Sequence, residues 1–212
     1  MKRTSIASLI IAATVAVAFA PREARSASGG LPSSCIGCSY TGSDLHGADL
    51  TNVSYVGANF SGANLRDARA TGAKMVGANF RDADVSGANF SAAKLVGVNF
   101  QTATMIDTRF DGASLIGAKF ANARARNLHM ANANLIGVDF TGADLRQADL
   151  HDSKLCTRDD RGRIDCADFS NANVTGADLH GALICGNNDS CVPVDAATLR
   201  DRGHSPLNGA RL

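Results

Sequence analysis

The chain has 212 residues, of which 45% are hydrophobic, so it is long enough for one domain of ordinary size with a buried core. Glycine is frequent at 21 residues, aromatic residues make up only 5% and tryptophan is absent, which indicates a core of small and medium side chains and disfavours a conventional enzyme. The 21 basic and 20 acidic residues nearly cancel, so no general attraction to nucleic acid is expected.

The first 26 residues are typical of an export signal. Lys2 and Arg3 form a basic start, and the apolar run 6–20 that follows is short for a membrane span, although an uncleaved anchor is the alternative. Small residues offer cleavage sites near residues 18, 20 and 26, and the sequence does not decide between them. We therefore predict a signal peptide over 1–26 and a periplasmic or secreted bacterial protein, not held in a membrane in its mature form.

Removal of the signal takes away four basic residues and one acidic residue. The mature chain then has 17 basic and 19 acidic residues and a net charge of −2. It keeps all six cysteines, and an even number in an exported chain indicates disulfides with fifteen possible pairings. The cysteines are Cys35, Cys38, Cys156, Cys166, Cys185 and Cys191.

Residues 27–37 are predicted to be an N-terminal tail and cap. The segment "LPSSCIGC" would close the front end of the domain. Cys35 and Cys38 have the spacing of a redox pair, but the strand and helix pattern that such a motif needs is missing, which favours a structural disulfide.

From residue 38 to residue 186 the sequence repeats every five residues. Positions divisible by five tend to carry a large apolar side chain up to residue 155, as at Leu65 and Phe80, and the residue two before is nearly always small, as at Ala63 and Ala78. The final slot of each unit is often Gly, Asn or Asp, which tolerate positive φ at a corner. A period of five fits neither an α-helix nor a β-strand.

These units closely resemble the pentapeptide-repeat family, whose unit is A(D/N)Lxx. It stands here as "ADLTN", "ANFSG", "ANLRD", "ADVSG" and "ADLRQ". The resemblance implies an all-β fold, a right-handed quadrilateral β-helix with four units in each coil. It also implies that the large residue and the small residue two before it point inward.

A second rhythm of twenty residues supports four units per coil. One inward column then contains Tyr40, Phe60, Phe80, Phe100, Phe120 and Phe140, and Phe169 joins it if nine residues are inserted after Cys156. The segment "TRDDRGRID", residues 157–165, has that length and is predicted to be an inserted loop. The sequence thus predicts about seven coils.

The same register predicts the disulfides. Without the insertion, Cys156 and Cys166 would be consecutive, so they would close the neck of the loop; Cys185 would pair locally with Cys191, and Cys35 with Cys38 by elimination. The register also stacks Cys156 on Cys185 in adjacent coils, which leaves a bond between coils as the alternative. Residues 187–212 are predicted to be a C-terminal cap and tail, with a short helix over 195–203.

Two surface features are candidate binding sites. The slot after the large residue on one side is occupied by Val56, Val76, Val96, Ile116 and Ile136, called here the apolar column, which Cys156 continues. An apolar stripe of this kind can be a docking face for a protein partner or a second copy, or it can simply reflect the β-propensity of branched residues. The second candidate is the loop with Arg158, Asp159, Asp160, Arg161 and Arg163, whose mixed charge also suits plain solubility.

An enzyme and a DNA mimic are the alternatives to a binding rod. His151, His180, Asp149 and Asp178 would share one side and could hold zinc, but these slots are ordinarily polar, so no catalytic residue, metal or cofactor is predicted. Some members of the family resemble duplex DNA and bind DNA gyrase, which requires an acidic rod in the cytoplasm. This chain intersperses lysine and arginine among its acids, so an exported, non-enzymatic structural or protein-binding rod is favoured.

Overall fold

A computed structural model describes residues 31–158, 161, 164–186 and 191–193 of the chain. Between residues 39 and 154, parallel bridges join residues twenty apart, from Ser39 with Asn59 to Asn134 with Lys154. Four five-residue units therefore form one coil of a β-helix, as the sequence predicts. In the ladder, the Phe100 N–H donates to the Lys119 carbonyl at 2.7 Å, and the Asn99 N–H donates to the Ala78 carbonyl at 3.0 Å.

Longer strands occur at the two ends of the ladder. They are β1 (Ser34–Ile36), β2 (Ser54–Val56), β3 (Lys154–Arg158), β4 (Ile164–Cys166), β5 (Leu183–Gly186) and β6 (Cys191–Pro193). Strands β1 and β2 pair in parallel, and the other four form one sheet in the order β4-β3-β5-β6. No helix of the described residues is long and apolar enough to cross a membrane.

Each position of the five-residue unit has a structural role. The small and the large residue are buried, as at Ala78 and Phe80. The polar residue between them closes the turn: Asn79 Oδ1 accepts the backbone N–H of Arg81 at 3.1 Å, an Asx turn that an Asp provides equally well. The last residue forms the corner with φ near +60°, as at Gly97 (+66°) and Asn52 (+56°). These two roles explain the residue preferences of the unit: Asn or Asp in the slot that closes the turn, and Gly, Asn or Asp in the slot that forms the corner.

Aromatic rings form a continuous column through the core. All rings from Tyr40 to Phe169 are at most 8% exposed. The centroid distances along the column are 5.1, 4.7, 4.8, 5.1, 5.1 and 5.0 Å. Phe90 and Phe110 stack in a second column at 5.2 Å and meet the first column edge to face. The predicted column is confirmed, and the edge contacts join two sides of the coil.

The inserted segment is a β-hairpin. Strands β3 and β4 pair antiparallel with Cys156 opposite Cys166, and beyond them the ladder joins residues twenty-nine apart, such as Asp139 and Asp168. A β-bulge follows Lys154, so Cys156 lies opposite Ile184, and Thr157 lies opposite Cys185. The predicted stacking of Cys156 on Cys185 is therefore wrong by one residue, because the bulge adds a residue to β3 that β5 lacks.

The ladder extends ahead of the predicted start at residue 38. Strand β1 pairs Ser34 with Ser54 and Ile36 with Val56, in the same twenty-residue register. The Tyr55 hydroxyl donates to the Pro32 carbonyl at 2.5 Å and ties the preceding segment to the first coil. The predicted signal peptide and the predicted helix over 195–203 lie outside the described residues, and the total number of coils stays a prediction.

Candidate functional site

The apolar column lies along one side of the β-helix, called here the apolar side. It comprises the units 53–57, 73–77, 93–97, 113–117 and 133–137. Val56, Val76, Val96 and Ile136 are half-buried, and Ile116 is 39% exposed. The residues are in register because each coil stacks on the next, so the column is a continuous strip on the surface.

Both ends of the column differ from the prediction. Ile36, which is 89% exposed, extends the column by one coil because it pairs with Val56. Sequence reasoning missed it, since residues 34–36 lack the family unit, although the spacing of twenty residues from Val56 was a usable signal. At the other end, Cys156 is fully buried and disulfide-bonded to Cys166, so it adds nothing to the exposed strip.

The apolar side has a distinct charge. Its units from residue 53 to residue 157 contain no Asp or Glu, and its polar outward slot contains Lys74 and Lys94, both exposed. The corner beyond the column is open to solvent: a Cβ on Gly77, Gly97 or Gly117 would meet no atom within 4 Å. The strip is therefore bounded by lysines on one edge and by open glycine corners on the other.

On two of the other sides, acidic residues are paired with arginine. Arg69 bonds Asp49 at 2.7 Å, and Asp144 accepts from both Arg126 at 2.8 Å and Arg146 at 2.7 Å. The Arg146 guanidinium, with help from Arg126, holds the pKa of Asp144 well below its usual range. These pairs break up the negative charge, so these sides do not form a continuous acidic surface.

The charged loop lies beside the end of the apolar column. Strand β3 ends at Arg158, and Arg161 is exposed, whereas Asp159, Asp160 and Arg163 lie outside the described residues. At the base of the hairpin, Asp165 Oδ2 lies 3.5 Å from the position that a Cβ on Gly137 would occupy. The structure therefore brings the base of the predicted loop site next to the predicted apolar site.

The candidate histidine and aspartate set has a structural arrangement. His151 Nδ1 bonds Asp149 Oδ1 at 2.5 Å, and this hydrogen bond raises the pKa of His151. Asp149 also accepts the His151 backbone N–H, and Asp178 accepts that of His180, which are the turn bonds found in other units. In the part of the chain that the structure describes, no group of three or more His, Cys, Asp or Glu residues is placed to hold a metal ion.

Among the described residues, disulfides join Cys35 with Cys38 and Cys156 with Cys166. The backbone places Cys185 opposite Cys191 in the antiparallel pair of β5 and β6, and their side chains lie outside the described part. The second disulfide closes the base of the hairpin, where Cα atoms are 4.0 Å apart. It closes the insertion at its base, within the part of the repeat that the structure describes.

A closed coil filled with side chains, with polar turns and one apolar strip, defines a repeat protein of the structural or binding class. The sequence profile described as pentapeptide repeats matches eight copies over residues 43–82, 83–120, 113–152 and 164–188. The chain belongs to the pentapeptide-repeat family, whose fold is a right-handed β-helix and whose members are generally non-enzymatic.

Solved structures of similar proteins include three from different settings. A pentapeptide repeat protein from the Arabidopsis thaliana thylakoid lumen is 32% identical, with 56% of this chain and 77% of that chain covered and a TM-score of 0.34. QnrB1, a plasmid-mediated fluoroquinolone resistance protein, is 17% identical, with 80% of this chain and 99% of that chain covered and a TM-score of 0.38. HetL is a pentapeptide repeat protein involved in heterocyst differentiation regulation, from the cyanobacterium Nostoc sp. strain PCC 7120. It is 24% identical, with 70% of this chain and 84% of that chain covered and a TM-score of 0.24. Comparison with curated protein sequences finds no match.

Proposed function

We propose that the mature protein is an exported, non-enzymatic rod that binds another protein through its apolar side. The single observation that supports this function is the apolar column: five branched aliphatic side chains in register, partly exposed, in repeat units that contain no carboxylate. A contiguous apolar strip on a soluble monomer often marks a contact surface. The β-propensity of valine and isoleucine explains the residue type but not why this side alone combines them with lysines.

Export is supported by the N-terminal sequence and by the cysteines. The segment 1–26 has the composition of a signal peptide, and the two disulfides suit an oxidising compartment. Gyrase binding by DNA mimicry is disfavoured, because paired charges such as Arg69 with Asp49 and Arg66 with Asp84 replace the continuous negative surface that mimicry requires.

Export is tested by producing the full chain in a Gram-negative bacterium and fractionating the cells. The protein is expected in the periplasmic or extracellular fraction, with an N-terminus after the signal segment by mass spectrometry. Full-length protein confined to the cytoplasm would overturn the exported role and would revive the mimicry alternative.

Binding is tested by site-specific photo-crosslinking in those cells. A photoreactive residue at Val96 is expected to give a crosslinked protein, and the same residue at Arg81, exposed on a different side, serves as the matched control. Val96→Lys combined with Ile116→Lys should abolish association with the partner protein. The circular dichroism spectrum should stay unchanged, because these side chains point outward. Equal crosslinking from both positions, or association that survives the double substitution, would reject the docking role.

A further inference from the structure

The cations of this protein fall into two groups according to their partners. Arginines typically lie beside an Asp carboxylate, within 3.2 Å for Arg66, Arg69, Arg109, Arg126 and Arg146. Lys74, Lys94 and Lys119 have no side-chain ion pair or hydrogen bond with any residue that the structure describes. Arg124 also has none, but it lies on another side. Lys74 and Lys94 are thus exposed charges without a counter-charge among the described residues, whereas Lys119 lies opposite Asp139 in the ladder.

These three lysines border the apolar column. Lys74 and Lys94 lie two residues before Val76 and Val96 and pair with each other in the ladder. Lys119 lies two residues after the corner at Gly117, on the adjoining side of the coil, where it pairs with Asp139 in the ladder. Like charges directly opposite each other in neighbouring strands are destabilising. The stability of the coil therefore does not account for this arrangement, and a bound anionic group would relieve the repulsion.

We propose that the apolar side binds an acidic protein surface of β-structure, with carboxylates beside a strip of aliphatic side chains. The carboxylates would pair with Lys74, Lys94 and Lys119, and the aliphatic strip would cover Val76, Val96 and Ile116. Neighbouring members of the column are separated by the ~4.8 Å spacing of strands, which a partner made of stacked strands matches over its whole length. This inference rests on the proposed function, because it names the chemistry of the partner at the same site.

Two other occupants fit the apolar side less well. A second copy presents the same side, whose units from residue 53 to residue 157 contain no carboxylate, so the lysines would stay uncompensated. Val56, Val76, Val96 and Ile136 are half-buried, which limits the apolar area that a lipid surface could take up, although Ile36 and Ile116 are more exposed. An acidic protein surface meets the positive charge beside the strip.

The contact is small, so charge should contribute strongly to it. From Val56 to Ile136 the column spans four ladder steps, or about 19 Å at the strand spacing. A strip of this length and one residue wide buries a small area, which is typical of weak and transient interfaces. In such interfaces complementary charges accelerate association and make it sensitive to salt. Strong salt dependence is therefore the expected signature.

The probe is a charge-reversed copy of this protein carrying Lys74→Glu, Lys94→Glu and Lys119→Glu. The probe presents an acidic and aliphatic β-surface with the same strand spacing. When the wild type and the probe pack face to face with their columns in opposite directions, Lys74 of the wild type lies over position 94 of the probe, where Lys94→Glu has been made. Purified wild type and probe are mixed and followed by analytical ultracentrifugation. We expect a complex of the two at about 50 mM salt that neither forms alone, weakened roughly tenfold or more at about 500 mM salt.

Matched variants locate the contact. Lys94→Glu alone should retain part of the binding to wild type, whereas Arg124→Glu, an exposed and unpaired cation on another side, should give none. Val96→Ser in the wild-type partner should weaken the complex with the probe, because it removes the aliphatic contact between the lysines. Circular dichroism of each variant verifies that the coil is intact.

Three results would overturn the inference. The first is a mixture that stays monomeric at low salt, and the second is self-association of the wild type that Val96→Lys abolishes, which makes a second copy the occupant. The third is wild-type binding to phosphatidylethanolamine and phosphatidylglycerol vesicles that the probe lacks, which makes a lipid surface the occupant. If Val96 gives a crosslinked protein in cells but the wild type does not bind the probe, only the acidic chemistry of the partner is rejected. If the wild type binds the probe but Val96 gives no crosslinked protein in cells, the proposed function is rejected.

Discussion

Asp139 and Asp168 pair across neighbouring coils although they are twenty-nine residues apart, while Lys119 pairs with Asp139 at a distance of twenty. The additional nine residues form the hairpin between Cys156 and Cys166. Because these two cysteines lie opposite each other, the chain re-enters the coil next to the point at which it left. Phe169 is 3% exposed and stacks on Phe140 at 5.0 Å, so the coil after the hairpin keeps the packing of the coils before it. The hairpin is therefore an addition to the β-helix that the coil does not need for its register.

Excision of residues 157–165, combined with Cys156→Val and Cys166→Gly, should leave a folded β-helix. The junction would then read Leu-Val-Gly-Ala-Asp-Phe, which restores the twenty-residue spacing and a glycine at the corner. We expect the free energy of unfolding to change by no more than about 2 kcal/mol, measured by chemical denaturation.

The matched control removes nine residues inside the regular repeat, residues 117–125. This deletion displaces each later unit by one residue relative to the five-residue rhythm, so polar slots would turn inward. The control protein should not fold. Equal stability of the two deletions would contradict the inward and outward assignment of the unit.

Phe100→Ala should cost about 3–5 kcal/mol of unfolding free energy, as large truncations in a core do. The Phe100 ring is fully buried, stacks on Phe80 and Phe120 at 4.8 and 5.1 Å, and contacts Phe90 and Phe110 edge to face. Urea denaturation measures the change. Arg81→Ala, on the exposed surface, should stay within about 0.5 kcal/mol, and a similar cost for both would be inconsistent with the aromatic column.

Ser153→Ala should stabilise the protein by about 1 kcal/mol, because it removes a buried hydroxyl with no hydrogen-bond partner and leaves the residue most common in that slot. Thr108→Ala is the control: Thr108 fills the same kind of slot, but its hydroxyl donates to the Val85 carbonyl at 2.9 Å. Thermal and chemical unfolding should show a gain for Ser153→Ala and none for Thr108→Ala. A loss of stability in Ser153→Ala would show that the hydroxyl is bonded.

Gly87→Ala should destabilise the coil more than Gly97→Ala. Both positions have positive φ, where alanine costs about 1–2 kcal/mol, but only a Cβ at Gly87 would collide with Asp67 Oδ1 in the neighbouring coil. Because the contact is with the end of the Asp67 side chain, which can rotate away, the collision should add no more than about 1 kcal/mol. Asp67→Gly combined with Gly87→Ala should bring the cost back toward that of Gly97→Ala, and a double mutant as unstable as Gly87→Ala would exclude the collision.

Asp144→Asn should lower stability by about 1 kcal/mol at neutral pH, since Asn keeps the size of the side chain but loses the charge between Arg126 and Arg146. The pKa of Asp144 is depressed in the folded state, so its stabilisation is present above the unfolded pKa of about 3.9 and declines as the pH falls below it. The difference between wild type and variant should therefore shrink between about pH 5 and pH 2.

The matched control for this pH dependence is Asp139→Asn. Asp139 occupies the same slot on another side and accepts the Thr141 N–H at 2.9 Å, but no arginine among the described residues lies within ion-pair distance of it. Denaturation curves at several pH values should show a smaller change for this variant. A wild-type advantage at Asp144 that grows as the pH falls would reverse the sign and reject the assignment.

The sequence by itself determined the coil. Most fifth residues are large, most residues two before them are small, and phenylalanine recurs every twenty residues, so the number of units per coil and the inserted length after Cys156 follow from counting. These features can be predicted because each depends on one residue and its place in a fixed period. The family unit adds the handedness of the helix.

Only the tertiary structure decided how neighbouring coils meet. The bulge after Lys154 places Cys156 opposite Ile184, β1 carries the ladder to Ser34 without the family unit, and Asp165 at the base of the hairpin approaches Gly137. Arg66, Arg69 and Arg126 find carboxylates in neighbouring coils, whereas Lys74 and Lys94 find none among the described residues. Such contacts depend on the reach of side chains between coils and on a hairpin outside the repeat, and a period of five residues specifies neither.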